Sequence, residues 1–351
     1  MPTRPGSGPS VASTTDCSID PLRDHGDTQA PVGALDLAVN VRHDTPVWLR
    51  DELAGLDLAS YPAPAAGVAA AAARHGVDPQ ECLLTNGAAE AFWAIAHGLR
   101  PRLAACVHPS FTAPESALRS AGVPVHRVIR RAEDGFALDV AEVPEEADLV
   151  VLGRPDNPTG RLEPPENVAA LVRPGRTIVV DEAFADFLPD GESLARVRLP
   201  GVLCVRSLTK LWGLAGLRVG YVLGPADLLG HLAPVMQPWP VNTLAVHAVH
   251  RLSERETERR QRANEAAAAR EALVEGLAAL DVPDLAVWAS PANYVLLRTQ
   301  RPGLRGALLE HDIAVRRCET FPGLDDTYVR IAVPLDARSR HRLLSALATI
   351  L

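Results

Sequence analysis

Lysine is almost missing from this chain. Of its 35 lysine and arginine residues, Lys210 alone is lysine. A block of basic residues is missing too: the arginines are scattered among acids, and the net charge is −8. The electrostatic footprint of a nucleic-acid binder is therefore absent. The cysteines Cys17, Cys82, Cys106, Cys204 and Cys318 are odd in number and widely spaced, with no Cys-x-x-Cys. That favours reduced thiols, several of them in buried strands, over a metal or redox centre. No apolar run is long enough to span a bilayer. Residues 1–16 lack the apolar core of a secretion signal. The expectation is a cytoplasmic protein that meets neither membrane nor nucleic acid. No internal repeat is seen.

What is present is an alternating pattern. Short apolar runs at 103–107, 123–129, 149–152, 177–180 and 202–205 are separated by helical stretches. Continuous apolar runs mark strands covered on both faces, as in a mostly parallel α/β sheet. Each run ends in polar or turn residues, and open α/β sheets bind ligands outside the carboxyl ends of their strands. Residues 60–242 are therefore read as a large α/β domain. From Thr243 to about Leu280 the sequence predicts one long helix, rich in Ala, Arg, Glu and Leu. Strands at 293–298, 313–316 and 328–333 and a helix from about Asp336 complete a smaller α+β unit, 243–351. Residues 1–34 are Pro-, Gly- and Ser-rich and expected to be disordered. Residues 35–59 are expected to pack near the smaller unit.

The lone lysine suggests a chemistry. An amine can lose its proton and attack a carbonyl, whereas a guanidinium stays charged. Where only positive charge is needed, arginine serves, so a retained lysine is a candidate nucleophile. It would need burial or a neighbouring cation to lower its pKa. On composition alone, a chance surface survivor stays open.

The surrounding residues narrow the choice. Ser207-Leu208-Thr209-Lys210 is followed eight residues after the lysine by Arg218, within Gly213-Leu214-Ala215-Gly216-Leu217-Arg218. This resembles the cofactor-attachment signature of class I/II aminotransferases, pyridoxal 5′-phosphate (PLP) enzymes of fold type I. The resemblance implies an aspartate aminotransferase-like fold, with 60–242 as the PLP-binding domain. It implies that Lys210 carries the cofactor covalently and that Ser207 and Arg218 hold its phosphate. Ala88 and Ala89, in Thr85-Asn86-Gly87-Ala88-Ala89-Glu90, resemble the phosphate cup at a helix start. Asn157, in Asp156-Asn157-Pro158, would donate to the phenolic oxygen. Asp181, at the end of a buried strand, would hold the ring nitrogen protonated. Phe111 would stack on the ring, although core packing would also explain it. Tyr61 would reach the phosphate of a neighbouring subunit, implying a homodimer. Arg330 would bind the substrate carboxylate, and Asn40 and Arg316 are further substrate candidates. No metal is implied.

The reaction is less decided. The attachment signature is similar to that of histidinol-phosphate aminotransferases. The stretches 206–210, 181–189 and 318–324 look more like threonine-phosphate decarboxylases of cobalamin synthesis. Phe184 stands where aminotransferases commonly carry a tyrosine. Against the decarboxylase, its His-Gly-Gly element appears as His25-Gly26-Asp27, and an aspartate repels a substrate phosphate. The Asn-Pro-Leu-Gly usual near the first strand is replaced by residues 39–44. The sequence therefore favours amino transfer between a small phosphorylated amino acid or amine and a 2-oxo acid. Decarboxylation is the alternative, and a non-catalytic PLP-binding module a distant one.

Overall fold

The computed structural model describes Leu22, residues 30–300 and residues 302–351. Cys17, the His25-Gly26-Asp27 element and most of 1–34 lie outside the described residues. The strands, in chain order, are β1 (Leu35–Leu37), β2 (Cys82–Thr85), β3 (Ala104–His108), β4 (Val125–Ile129), β5 (Leu149–Gly153) and β6 (Thr177–Glu182). Then come β7 (Val202–Ser207), β8 (Gly220–Leu223), β9 (Ala286–Ala289), β10 (Tyr294–Arg298), β11 (Ile313–Arg317) and β12 (Tyr328–Ala332).

Seven strands form one sheet in the order β2-β8-β7-β6-β5-β3-β4. The pairs β3–β4, β3–β5, β5–β6 and β6–β7 are parallel, and β8 runs antiparallel to both its neighbours. The apolar runs do what their composition requires. Val150, Ile178 and Val180 face one core, packed with Ala71, Leu171 and Val249 from helices Ala65–His75, Pro165–Leu171 and Thr243–Ser253. Cys106, Val151, Val179 and Val205 face the other, packed with Phe92 and Leu118 from helices Gly87–Leu99 and Ala113–Ser120. Each fully buried Val, Leu or Phe contributes roughly 1.5–3 kcal/mol. Cys82, Cys106, Cys204 and Cys318 are buried free thiols.

The second sheet has the order β1-β11-β12-β10-β9. Helix Glu256–Ala278 and the C-terminal helix Ala337–Ile350 close its apolar face through Leu273, Leu277, Leu343 and Leu347. β1 pairs in parallel with β11, so Leu35–Leu37 form the edge of this second sheet. β1, β2, β8 and β9 were not anticipated as strands.

The expectation of one helix from Thr243 to about Leu280 is corrected. There are two, Thr243–Ser253 and Glu256–Ala278, parted at Glu254 and Arg255. Arg255 leaves helical geometry (ψ 44°), and its guanidinium lies 4.5 Å from the Trp48 ring centre. The second helix then directs Arg259 into the large unit, where it donates to the carbonyls of Asp186 and Leu188 at 2.7 and 3.0 Å. Helix propensity alone carries no information about that tertiary pull.

Candidate active site

The site lies where parallel strands end. β6 delivers Asp181 and β7 delivers Ser207. A single helical turn, Thr209–Trp212, then carries Lys210 and stops at Gly213 in the left-handed region (φ 67°). A Cβ on Gly213 would meet the Arg42 carbonyl at 2.8 Å, so glycine is required for that close approach. Arg42 N–H in turn donates to the Lys210 carbonyl at 3.1 Å. Lys210 is half-buried, and its Nζ lies 5.7 Å from the Phe184 ring centre.

A cavity of about 130 Å³ gathers Ala88, Ala89, Phe111, Asn157, Asp181, Ser207, Lys210 and Arg218. These are all the cofactor residues expected from sequence except Tyr61. Tyr61 lies apart, 75% exposed, stacked on Trp239 with ring centres 4.2 Å apart.

The two ends of the cavity differ in charge. At one end Arg218, itself in a left-handed conformation (φ 57°), leans against the start of helix Gly87–Leu99. Gly87 has φ 77°, and a Cβ there would sit 2.7 Å from the Arg218 Nη2. Only glycine lets the guanidinium and the free helix N–H groups converge. Ser207 Oγ accepts from Thr209 N–H at 3.2 Å, which leaves its hydroxyl hydrogen to donate. Guanidinium, hydroxyl and helix start together suit a phosphate. At the other end Asp181 accepts one hydrogen bond, from Ala183 N–H at 2.9 Å. Burial pushes its carboxyl up to about 6, opposed by that bond and by the charge of Lys210. A buried carboxylate this poorly compensated suits a cationic partner. PLP, with a phosphate at one end and a protonated ring nitrogen at the other, fits both.

Asn157 links this cavity to the substrate candidates. Its Oδ1 accepts from Arg330 Nη1 at 2.6 Å. A guanidinium only donates, so the amide oxygen faces Arg330 and Nδ2 is turned to the other side. Arg330 Nη2 donates to the Ala38 carbonyl, while its buried Nε has no partner. Arg316 stands directly opposite Arg330 in the β11–β12 register and donates to Thr320 Oγ1 at 2.9 Å. Burial, and then the like charge of Arg316, pull Arg330 down to about 10. Asn40 is buried, with Nδ2 unpartnered and its carbonyl accepting from Asn293 at 3.1 Å. These three do not line the 130 Å³ cavity.

Sequence reading missed the supports. Asp156, beside Asn157, is fully buried. It accepts from Ser110 Oγ at 2.5 Å and from Arg130, and its carbonyl accepts from the Tyr294 hydroxyl at 2.6 Å. Behind the sheet, Glu182 and Arg206 pair at 2.9 Å. Asp186 accepts from Arg206 at 2.5 Å, Arg74 at 2.9 Å and Trp212 Nε1 at 3.3 Å. The signal for Glu182 and Arg206 was available: each adjoins a site residue on its strand, Glu182 after Asp181 and Arg206 before Ser207, and successive side chains point to opposite faces.

The family model for aminotransferase class I and II matches residues 49–347. A histidinol-phosphate aminotransferase of Mycobacterium tuberculosis is 44% identical over 349 residues, 94% of this chain and 93% of the relative. A threonine-phosphate decarboxylase of Salmonella typhimurium is 34% identical over 298 residues, 80% of each chain. Among solved structures, a histidinol-phosphate aminotransferase from Clostridium acetobutylicum aligns with TM-score 0.82 and 25% identity, covering 90% of this chain and 98% of that one. An L-threonine-O-3-phosphate decarboxylase from Porphyromonas gingivalis aligns with TM-score 0.80 and 26% identity, covering 90% and 99%.

Proposed function

Because this chain belongs to the class I and II aminotransferases and is a PLP enzyme, we propose that it moves an amino group between a small phosphorylated amine or amino acid and a 2-oxo acid. The observation that carries this reading is the one cavity that holds Lys210, Asp181, Asn157 and Arg218 together. When bound, PLP supplies an electron sink that weakens the bonds at the substrate Cα. Lys210 would tether it, and its amine would take and return the proton at that carbon. Asp181 holds the proton on the ring nitrogen. Asn157 uses Nδ2 toward the phenolic oxygen while Arg330 holds its Oδ1. Ser207, Arg218 and the N–H groups near Ala88 and Ala89 grip the phosphate, and Phe111 covers the ring and excludes water.

Arg330 would take a substrate carboxylate in a two-pronged bond. Arg316 beside it is a second buried guanidinium, and Asn40 a buried amide donor, which supports a substrate with a second anionic group. Histidinol phosphate with 2-oxoglutarate is the pair we favour, on the 44% identity above. A homodimer in which Tyr61 reaches the neighbouring phosphate, working in the cytoplasm, completes the reading. Among the described residues no helix is long and apolar enough to cross a membrane.

A second reading is decarboxylation of threonine phosphate. Phe184 favours it, since that side chain offers no hydroxyl beside Lys210. Purified enzyme should be incubated with histidinol phosphate plus 2-oxoglutarate, and separately with L-threonine O-phosphate. Glutamate formation in the first supports amino transfer. Carbon dioxide release in the second, with no need for a keto acid, would overturn it.

A further inference from the structure

β3 ends in His108, which no part of the reading above uses. Cys106 pairs with Val151, and Gly153 pairs with Asp181. His108, two residues beyond Cys106, therefore shares a row and a sheet face with Gly153 and Asp181. Gly153 adds no side chain to that row, and the Asp156 carboxylate packs over its α-carbon. His108 is 1% exposed. Its Nε2 lies 2.8 Å from Glu115 Oε2, and Glu115 also accepts from Arg119 Nε at 2.6 Å and Arg127 Nε at 2.9 Å.

Those contacts fix the tautomer. Hydrogen bonds from His108, Arg127 and Arg119 outweigh burial and hold Glu115 down at about 2. It is therefore a carboxylate that only accepts, and Nε2 carries the hydrogen. Burial keeps the imidazole from gaining a second proton. Nδ1 is then a bare acceptor, buried and without a partner in the protein. His108, Ser110, Glu115 and Asp181 line one small cavity of about 10 Å³, room for a single water. A water between two acceptors donates one hydrogen to each.

We propose that His108 is a positioning residue for Asp181: aligned by Glu115, its Nδ1 anchors a buried water that donates to the Asp181 carboxylate. That bond favours the charged carboxylate, and so favours the proton on the ring nitrogen of the cofactor. The proposal rests on the reading of Asp181 as partner of that nitrogen.

The test uses holoenzyme loaded with ¹⁵N-labelled PLP, reading the ring-nitrogen chemical shift and the PLP dissociation constant. His108→Phe should move the resonance toward the unprotonated value and weaken PLP binding about fivefold, the scale of one water-mediated bond. His108→Gln, whose amide can donate to Glu115 and accept from the water, should restore both to within about twofold of wild type. Asp181→Asn should move the resonance at least as far as His108→Phe. A wild-type shift in folded His108→Phe, with Asp181→Asn displaced, overturns the role of His108 and leaves that of Asp181 standing. A wild-type shift in Asp181→Asn overturns both. If His108→Phe fails to fold, the smaller His108→Leu is read the same way.

Discussion

Replacing Asp181 with asparagine should make the cofactor-free protein more stable, and only at neutral pH. The side chain is buried, and its carboxyl lies at about 6, against 3.8 for an exposed aspartate. The folded state therefore binds a proton that the unfolded state releases between roughly pH 4 and pH 6. Stability must fall as pH rises through that window and level off above it. A shift of about two units, at 1.36 kcal/mol each, amounts to about 3 kcal/mol at pH 7. The attraction of Lys210 and the Ala183 hydrogen bond are already contained in that figure, because both contribute to the 6. An asparagine keeps the oxygen that accepts from Ala183 and never ionises. Urea unfolding of the cofactor-free wild type and Asp181→Asn at pH 7 and pH 4 reads the effect. The variant should be more stable by about 3 kcal/mol at pH 7 and equal at pH 4. Saturating PLP should narrow or reverse the gap, since it rewards the intact site. Equal stabilities at pH 7, or a gap that ignores pH, would refute the claim that Asp181 is a poorly compensated charge awaiting a cation.

Two further outcomes follow from the same geometry. Arg330→Lys keeps the charge but loses the fork, and with it both the two-pronged carboxylate bond and the hold on Asn157. At about 1.5–3 kcal/mol for a charge-assisted bond, kcat/KM for the L-glutamate half-reaction should fall roughly 10–150-fold; a loss under threefold would rule out carboxylate binding there. Asp186→Ala leaves Arg74 and Arg206 buried without their shared carboxylate, and should cost about 3–5 kcal/mol in urea unfolding. A loss below about 1 kcal/mol would mean that the cluster behind the sheet is not a structural lock.

The legible part of the site was local. Lys210, Ser207 and Arg218 sit within twelve residues of one another, and Asn157 and Asp181 stand at strand ends that an apolar run betrays. The illegible part was made of long-range partners. Nothing near Asn157 in the chain announces Arg330, and nothing near His108 announces Asp181, because the sheet register brings them together. The break at Glu254 and Arg255 was hidden for the same reason. Every residue there tolerates a helix, and the Trp48 contact that draws Arg255 away lies some two hundred positions earlier. Strands β2 and β8, of four residues each, were too short for periodicity to separate from turns.

The solitary lysine has a practical side. A protein usually offers amine-directed reagents a crowd of targets. Here the side chains offer one, and it stands in the proposed reaction centre. Acylating agents and reducible aldehydes would therefore report a stoichiometry of one per chain beyond the terminal amine, without mapping. Bound PLP would shield that target, so the unlabelled fraction counts loaded sites directly. Attachment to a surface through lysine, harmless for most enzymes, would silence this one.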